Sequence, residues 1–323
     1  MKRFLKFLIV AVIVLVIVVL GYLKFLLPAV GKAPDVQATL LPDRIERGRY
    51  LANHVAVCMD CHSTRDWTRF SAPPLENTIG KGGEYFGPEM GFPGKFYSKN
   101  ITPYHLSKWT DGEIYRTITT GVNRDGEALF PVMPYLNYGK MDQEDVLSII
   151  AYLRTLAPQK NDPPAREVNF PMNFIINTIP QKATPGQRPD TADMVKRGEY
   201  LVTIAACVEC HTPVEKGQII PEKAFSGGRE FAMPAGVLHT PNITPDVKTG
   251  IGAWSDSMFV SRFKSYSRPE SLHPVGKNEF NTIMPWSMYA GMTEGDLKAI
   301  FAYLKTVKPA DNRVVIFKEA KNK

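Results

Sequence analysis

Two copies of one pattern, Cys58-Met59-Asp60-Cys61-His62 and Cys207-Val208-Glu209-Cys210-His211, use up every cysteine in the chain. Two thiols separated by two residues on a short turn reach the two vinyl groups of one porphyrin, and the adjacent histidine then lies under the iron as its proximal ligand. The pattern predicts two covalently bound haem c groups, attached through Cys58, Cys61, Cys207 and Cys210 with His62 and His211 on the irons. A redox dithiol, half of a zinc site and a plain disulfide also use Cys-x-x-Cys, but none of them requires the histidine. A four-thiolate zinc site made from both pairs satisfies the ligand count. The distance between the pairs and their repeated surroundings argue against it.

The motifs are embedded in a longer repeat. Arg47-Gly48-Arg49-Tyr50-Leu51 answers to Arg197-Gly198-Glu199-Tyr200-Leu201, Gly82-Gly83 to Gly227-Gly228, and Asn100-Ile101-Thr102-Pro103 to Asn242-Ile243-Thr244-Pro245. Trp109 matches Trp254, Met133-Pro134 matches Met284-Pro285, and Ile150-Ala151-Tyr152-Leu153 matches Phe301-Ala302-Tyr303-Leu304. One fold is therefore expected twice, over residues 29–158 and 191–323. Residues 159–190 between them are rich in proline and lack a helical period, which marks a connector. Phe170, Phe174, Ile175 and Ile176 are too apolar for a free linker, so the connector is expected to lie along the two copies.

Each copy reads as mainly helical. Residues 43–57 and 191–206 form helices that run into the cysteine motifs. Val146, Ile149, Ile150 and Leu153 recur at helical spacing, as do Leu297, Ile300, Phe301 and Leu304, with Asp142 and Thr293 placed as amino-terminal caps. Gly48 and Gly198 then permit close approach of another helix, with Tyr152 or Tyr303 to lie against it.

The amino terminus is of a different kind. Residues 7–23 carry no charge, follow Lys2, Arg3 and Lys6, and precede Lys24. The apolar run of a cleaved signal peptide is usually about 7–15 residues, whereas about 17–25 span a hydrocarbon core. Residues 1–28 are read as an uncleaved anchor that contacts lipid through residues 4–27. Its basic end stays on the cytoplasmic side, which in a bacterium puts the remainder in the periplasm, held to the inner membrane by a single pass. Of the net charge of +7, the anchor holds four positive charges, leaving about +3, too little to indicate a nucleic-acid partner. The basic tail at Lys318, Lys321 and Lys323 is read as a solvated end.

With these motifs in view, each half resembles a class I cytochrome c domain. Asn242-Ile243-Thr244-Pro245-Asp246, Gly250-Ile251-Gly252-Ala253-Trp254-Ser255 and Met284-Pro285-Trp286 resemble the cytochrome subunits of membrane-bound alcohol, aldehyde and gluconate dehydrogenases. The first half departs from this text, with Tyr104-His105-Leu106-Ser107-Lys108 before its tryptophan, and those subunits commonly carry three haems where this chain has motifs for two. The resemblance implies an α fold of two tandem cytochrome c domains behind one transmembrane helix.

It also implies that Met133 and Met284, each before a proline and ahead of the last helix, are the sixth iron ligands. Histidine with methionine raises the iron potential, as suits a carrier. His54, His105, His239 and His273 have no counterpart in the other copy and are read as loop, helix or surface histidines. Trp109 and Trp254 are expected near the porphyrin edge, and Asn100 and Asn242 are expected to hold a turn.

Two functions remain to be separated. In the first, the chain relays electrons from a dehydrogenase or quinol-oxidising complex to an oxidase, a reductase or a soluble cytochrome, and transforms no substrate. In the second, it is a two-haem peroxidase-like enzyme with one open iron, served by Glu84, Glu127 or His105. Methionines in both copies favour the relay.

Overall fold

The computed structural model describes residues 1–320; Lys321 and Lys323 lie outside the described residues. Seven helices of nine residues or more occur among the described residues: α1 (Lys2–Phe25), α2 (Pro42–Tyr50), α3 (Asp111–Thr120), α4 (Gln143–Thr155), α5 (Met194–Ile204), α6 (Asp256–Lys264) and α7 (Glu294–Leu304). α1 has no buried residue and is long and apolar enough to cross a membrane. The rest forms two halves of similar construction.

In each half the helix before the motif crosses the last helix. A Cβ added to Gly48 would sit 1.8 Å from the Ser148 carbonyl oxygen of α4, and one added to Gly198 would sit 1.9 Å from that of Ala299 in α7. Backbone therefore touches backbone at both crossings, as the glycines implied. At Gly198 the expected tyrosine is near, Tyr303 approaching through its Cβ, while in the first half Tyr152 accepts a bond from Asn53, on the turn that follows α2. The apolar stripes of α4 and α7 are at most 4% exposed at Val146, Ile149, Ile150, Leu153, Leu297, Ile300, Phe301 and Leu304. Each such side chain contributes about 1.5–3 kcal/mol, whereas an exposed pair such as Arg49–Glu46 contributes about 0–1 kcal/mol. Burial, not surface charge, holds the crossings.

Asp142 and Thr293 cap α4 and α7, accepting from the Glu144 and Asp296 amides. The carboxylates three residues later have a larger task. Buried Asp145 takes Arg47 and buried Asp296 takes Arg197, at 2.8 and 2.6 Å. Each also accepts a tyrosine from the opposite half: Tyr200 donates to Asp145 at 2.7 Å and Tyr50 to Asp296 at 2.5 Å. The halves are thus tied by a reciprocal pair of bonds. The open cleft of about 400 Å³ between them is lined by charged groups including Asp43, Glu46, Arg47 and Arg197, a poor wall for an apolar macrocycle.

Small antiparallel sheets complete the halves. Tyr85–Phe86, Gly94–Tyr97 and Glu167–Val168 make one, with Tyr85 opposite Tyr97 and Gly94 opposite Val168. Glu230–Met233, Gly236–His239 and Phe317–Glu319 make its counterpart. The connector therefore begins as part of the first half's sheet, and the tail does the same for the second. Lys318 lies in a paired strand with its side chain exposed to solvent. One expectation changes: of the four apolar connector residues only Ile176 is fully buried, while Phe170 and Ile175 stay exposed.

Candidate haem centres

Each motif is entered through a left-handed residue. Val57 (φ 46°) ends the helical run before Cys58, and Ala206 (φ 53°) does so before Cys207. The left-handed conformation, strained for the β-branched Val57, turns the chain sharply into the one-turn helices Cys58–Cys61 and Cys207–His211. That turn sets both thiols and the histidine on one short segment.

The histidines are oriented in the same way. His62 Nδ1 lies 2.6 Å from the Lys99 carbonyl oxygen, and His211 Nδ1 lies 2.9 Å from that of Pro241. A ring nitrogen that donates to a carbonyl must carry its proton, which leaves Nε2 with its lone pair as the metal-binding atom. Burial holds both rings below the usual histidine range, so the neutral, ligating form is favoured. The thiols are deeply set: burial pushes Cys58, Cys61 and Cys207 up to about 12 and raises Cys210 as well. All four nevertheless keep some accessible surface and none is in a disulfide. Deep side chains that retain surface are those of a cleft wall. This donor set, two thiols and one neutral imidazole on a turn, fits a covalently held haem. Among the described residues no three histidine, cysteine, aspartate or glutamate side chains cluster as for a metal ion, so the two cysteine pairs do not form a four-thiolate site.

The recurring Gly-Gly and Asn-Ile-Thr-Pro segments explain how the carbonyls are placed. Gly82 and Gly227 donate to the His62 and His211 carbonyls, each at 2.8 Å. At φ 72° and 73° they pass so close to the Lys99–Asn100 and Pro241–Asn242 peptides that a Cβ would lie 2.5 Å away. Asn100 accepts from the Thr102 amide and hydroxyl and donates to the Gln159 and Asn161 carbonyls. Asn242 repeats this with Thr244 and the Ala310 and Asn312 carbonyls. Both asparagines hold their turn as expected. The acceptors Lys99 and Pro241 escape sequence reading because a backbone carbonyl has no residue signature; the flanking glycine and asparagine repeats were the available signal.

Met133 and Met284 are partly buried against the core. The helical turns that follow them, Tyr135–Tyr138 and Trp286–Tyr289, are bound to the segments that precede the motifs. Tyr138 donates to the Ala56 carbonyl at 2.8 Å and Tyr289 to that of Ala205 at 3.2 Å. The Met284 loop has a further support that the Met133 loop lacks in this form. Ser71 of the first half, fully buried and left-handed, donates to the Met284 carbonyl at 2.6 Å and accepts from the Trp286 amide at 2.9 Å. Arg65 links that loop back to the first motif, donating to Ser71 and Ala72 carbonyls and pairing with Asp60 at 3.4 Å.

Other residues singled out in the sequence are engaged elsewhere. His54 meets the Met288 carbonyl of the other half, His239 meets Glu230, His273 stacks on Phe70 and His105 leans on Trp109. Trp109 and Trp254 pack against the core. Glu84 accepts from Trp67, while Glu127 accepts from Asn123 and pairs with Arg166. The groups considered for a peroxidase-like site are thus occupied in separate contacts.

Residues 195–308 match the family model described as cytochrome c. A cytochrome c domain thus occupies the second half, and such a domain carries covalently bound haem c. The chain is similar to the cytochrome c subunit of a quinone alcohol dehydrogenase from Gluconacetobacter polyoxogenes, 28% identical over 87% of the chain and 58% of that relative. It is also similar to the fructose dehydrogenase cytochrome subunit of Gluconobacter japonicus, 29% identical over 81% of the chain and 52% of the relative. A diheme c-type cytochrome of Cereibacter sphaeroides is 27% identical over 77% of the chain and 81% of the relative. The chain spans little more than half the length of the first two.

Proposed function

We propose that this chain is a membrane-anchored cytochrome with two haem c groups that relays single electrons and transforms no substrate. The observation that carries the reading is the paired construction around His62 and His211, in which each Nδ1 is held by a backbone carbonyl and each Nε2 is left to bind iron. Haem iron, when bound, would supply the one-electron chemistry. Of the chain's own residues, Cys58, Cys61, Cys207 and Cys210 would hold the haem groups through their thiols, and His62 and His211, with Met133 and Met284, would bind the irons. The buried walls exclude water, which sets the potentials.

The two haem domains correspond to residues 29–158 and 191–323, joined by residues 159–190. The repeat of the motif, the crossing helices and the asparagine turn in the first half supports a second cytochrome c domain there. Residues 1–28 anchor the chain in a bacterial inner membrane, with the haem domains on the periplasmic side. Names of the relatives support a dehydrogenase subunit as electron donor, with an oxidase, a reductase or a soluble cytochrome as acceptor. The tether confines the search for partners to the membrane plane.

The test is direct. The mature protein should exceed its polypeptide mass by two haems, and its oxidised form should show the weak sulfur-to-iron absorption for both. Met133→Ala and Met284→Ala should each remove about half of it. One haem per chain, or rapid peroxide turnover by a high-spin iron, would reject the proposal.

A further inference from the structure

Connector residues 169–180 contain no charged side chain. They fold into a short helix (Met172–Ile175) and a tight turn (Ile176–Thr178) that lean on the end of α1. The Asn177 side-chain Nδ2 donates to the Leu23 carbonyl at 2.9 Å, one of the terminal carbonyls that a helix leaves without a partner of its own. Ile176 beside it is fully buried. Phe170 and Ile175 remain 77% and 42% exposed, beside the end of a helix whose Phe25 and Leu26 are 83% and 67% exposed. The Phe170 and Phe174 rings meet edge to face at 6.4 Å, so the exposed ring is held in place.

Clustered exposed apolar side chains mark a contact surface, and the position of this cluster identifies the contact. At 1.5 Å per residue α1 is ~36 Å long, against a hydrocarbon core of about 30 Å. Its last turn, with Tyr22, Lys24 and Phe25, therefore stands at the boundary of lipid and water, where aromatic and basic side chains settle. The connector cluster is fastened to that turn at Leu23 and shares its depth.

We infer that residues 170–175 form a second membrane contact, a foot that enters the headgroup region of the leaflet from which α1 emerges. The inference rests on the reading of α1 as a transmembrane anchor. Between Phe25 and the point where Pro34 packs on Gly112 of α3 the chain has no regular secondary structure, so α1 alone would hold the haem halves only through this short irregular segment. A foot built into the connector fixes their height and tilt, which keeps the same face turned toward a membrane-bound partner.

The test uses the full-length protein with its haems, reconstituted in phosphatidylcholine–phosphatidylglycerol vesicles. The native thiols are consumed by haem, so one added cysteine takes a spin label selectively: Phe170→Cys, Ile175→Cys, Leu15→Cys in α1, or Val247→Cys on an exposed loop. Collisions with apolar oxygen and with an aqueous nickel chelate report depth. The foot predicts that oxygen relaxes the labels at 170 and 175 more than the chelate does, though less markedly than at Leu15, and that the order reverses at Val247. Labels at 170 and 175 that behave like Val247, or that are shielded from both reagents by protein, would overturn the foot while leaving the anchor intact. A water-exposed label at Leu15 would overturn the anchor and the foot with it.

Discussion

Ser71→Ala tests whether the first half of the chain supports Met284, the residue proposed as an iron ligand in the second. Ser71 is fully buried and its hydroxyl is the link between the Met284 carbonyl and the Trp286 amide, at 2.6 and 2.9 Å. Alanine tolerates the left-handed backbone (φ 65°) about as well as serine, so the substitution isolates the hydroxyl. Its partners are not orphaned, since Trp286 still donates to the Met284 carbonyl at 2.8 Å and the Ser71 amide still donates to Asn281 at 2.9 Å. The full penalty for stranded buried groups therefore does not apply, and two ordinary bonds contribute about 1–2 kcal/mol together. If that support favours the iron-bound methionine, the bound-to-released ratio at one haem falls roughly tenfold. The assay is the sulfur-to-iron absorption followed with temperature, together with a redox titration. One haem should lose its band at lower temperature and shift its potential, and the other should stay as it was. Equal loss at both haems, or a change confined to the Met133 side, would refute the argument.

Gly198→Ala sets two effects against each other: alanine gains about 1 kcal/mol of helix propensity, but its Cβ would lie 1.9 Å from the Ala299 carbonyl, and forcing backbones apart costs about 1–3 kcal/mol or more. The melting temperature should fall; a rise would show that the crossing is looser than described. Tyr50→Phe and Tyr200→Phe each remove a bond to a buried carboxylate of the opposite half, at about 1.5–3 kcal/mol. Denaturant unfolding should show the halves less cooperative, and unchanged unfolding by the double variant would count against the bracing. Burial, with Arg49 and Lys264 nearby, holds His54 below the usual histidine range, so the unfolded chain takes up a proton that the folded chain refuses. Stability should therefore drop as pH falls below about 6.5, and His54→Gln should flatten that part of the profile in chemical unfolding; an unaltered slope would exclude His54 as its source.

The repeat, the crossing glycines and the apolar stripes of α4 and α7 were legible in the chain because residue spacing and helical period act locally. Ile149 and Ile150 declare their burial by spacing alone, and the proposal that Cys58 and Cys61 attach a haem rests on spacing in the same way. Long-range contacts were not legible. The carbonyls of Lys99 and Pro241 hold the histidines through backbone atoms that any residue supplies, and Asp145 and Asp296 read as members of a helix's first turn until folding brings tyrosines from the opposite half to them. Ser71 carries no motif, and its hydroxyl matters only because the loop after the first motif reaches the second half. The connector's apolar residues were visible as such, but their placement against α1 rather than within the core came from folding. Local spacing specifies which atoms can bind a haem, whereas the direction in which those atoms point depends on bonds between residues far apart in the chain, and the folded structure alone brings those together.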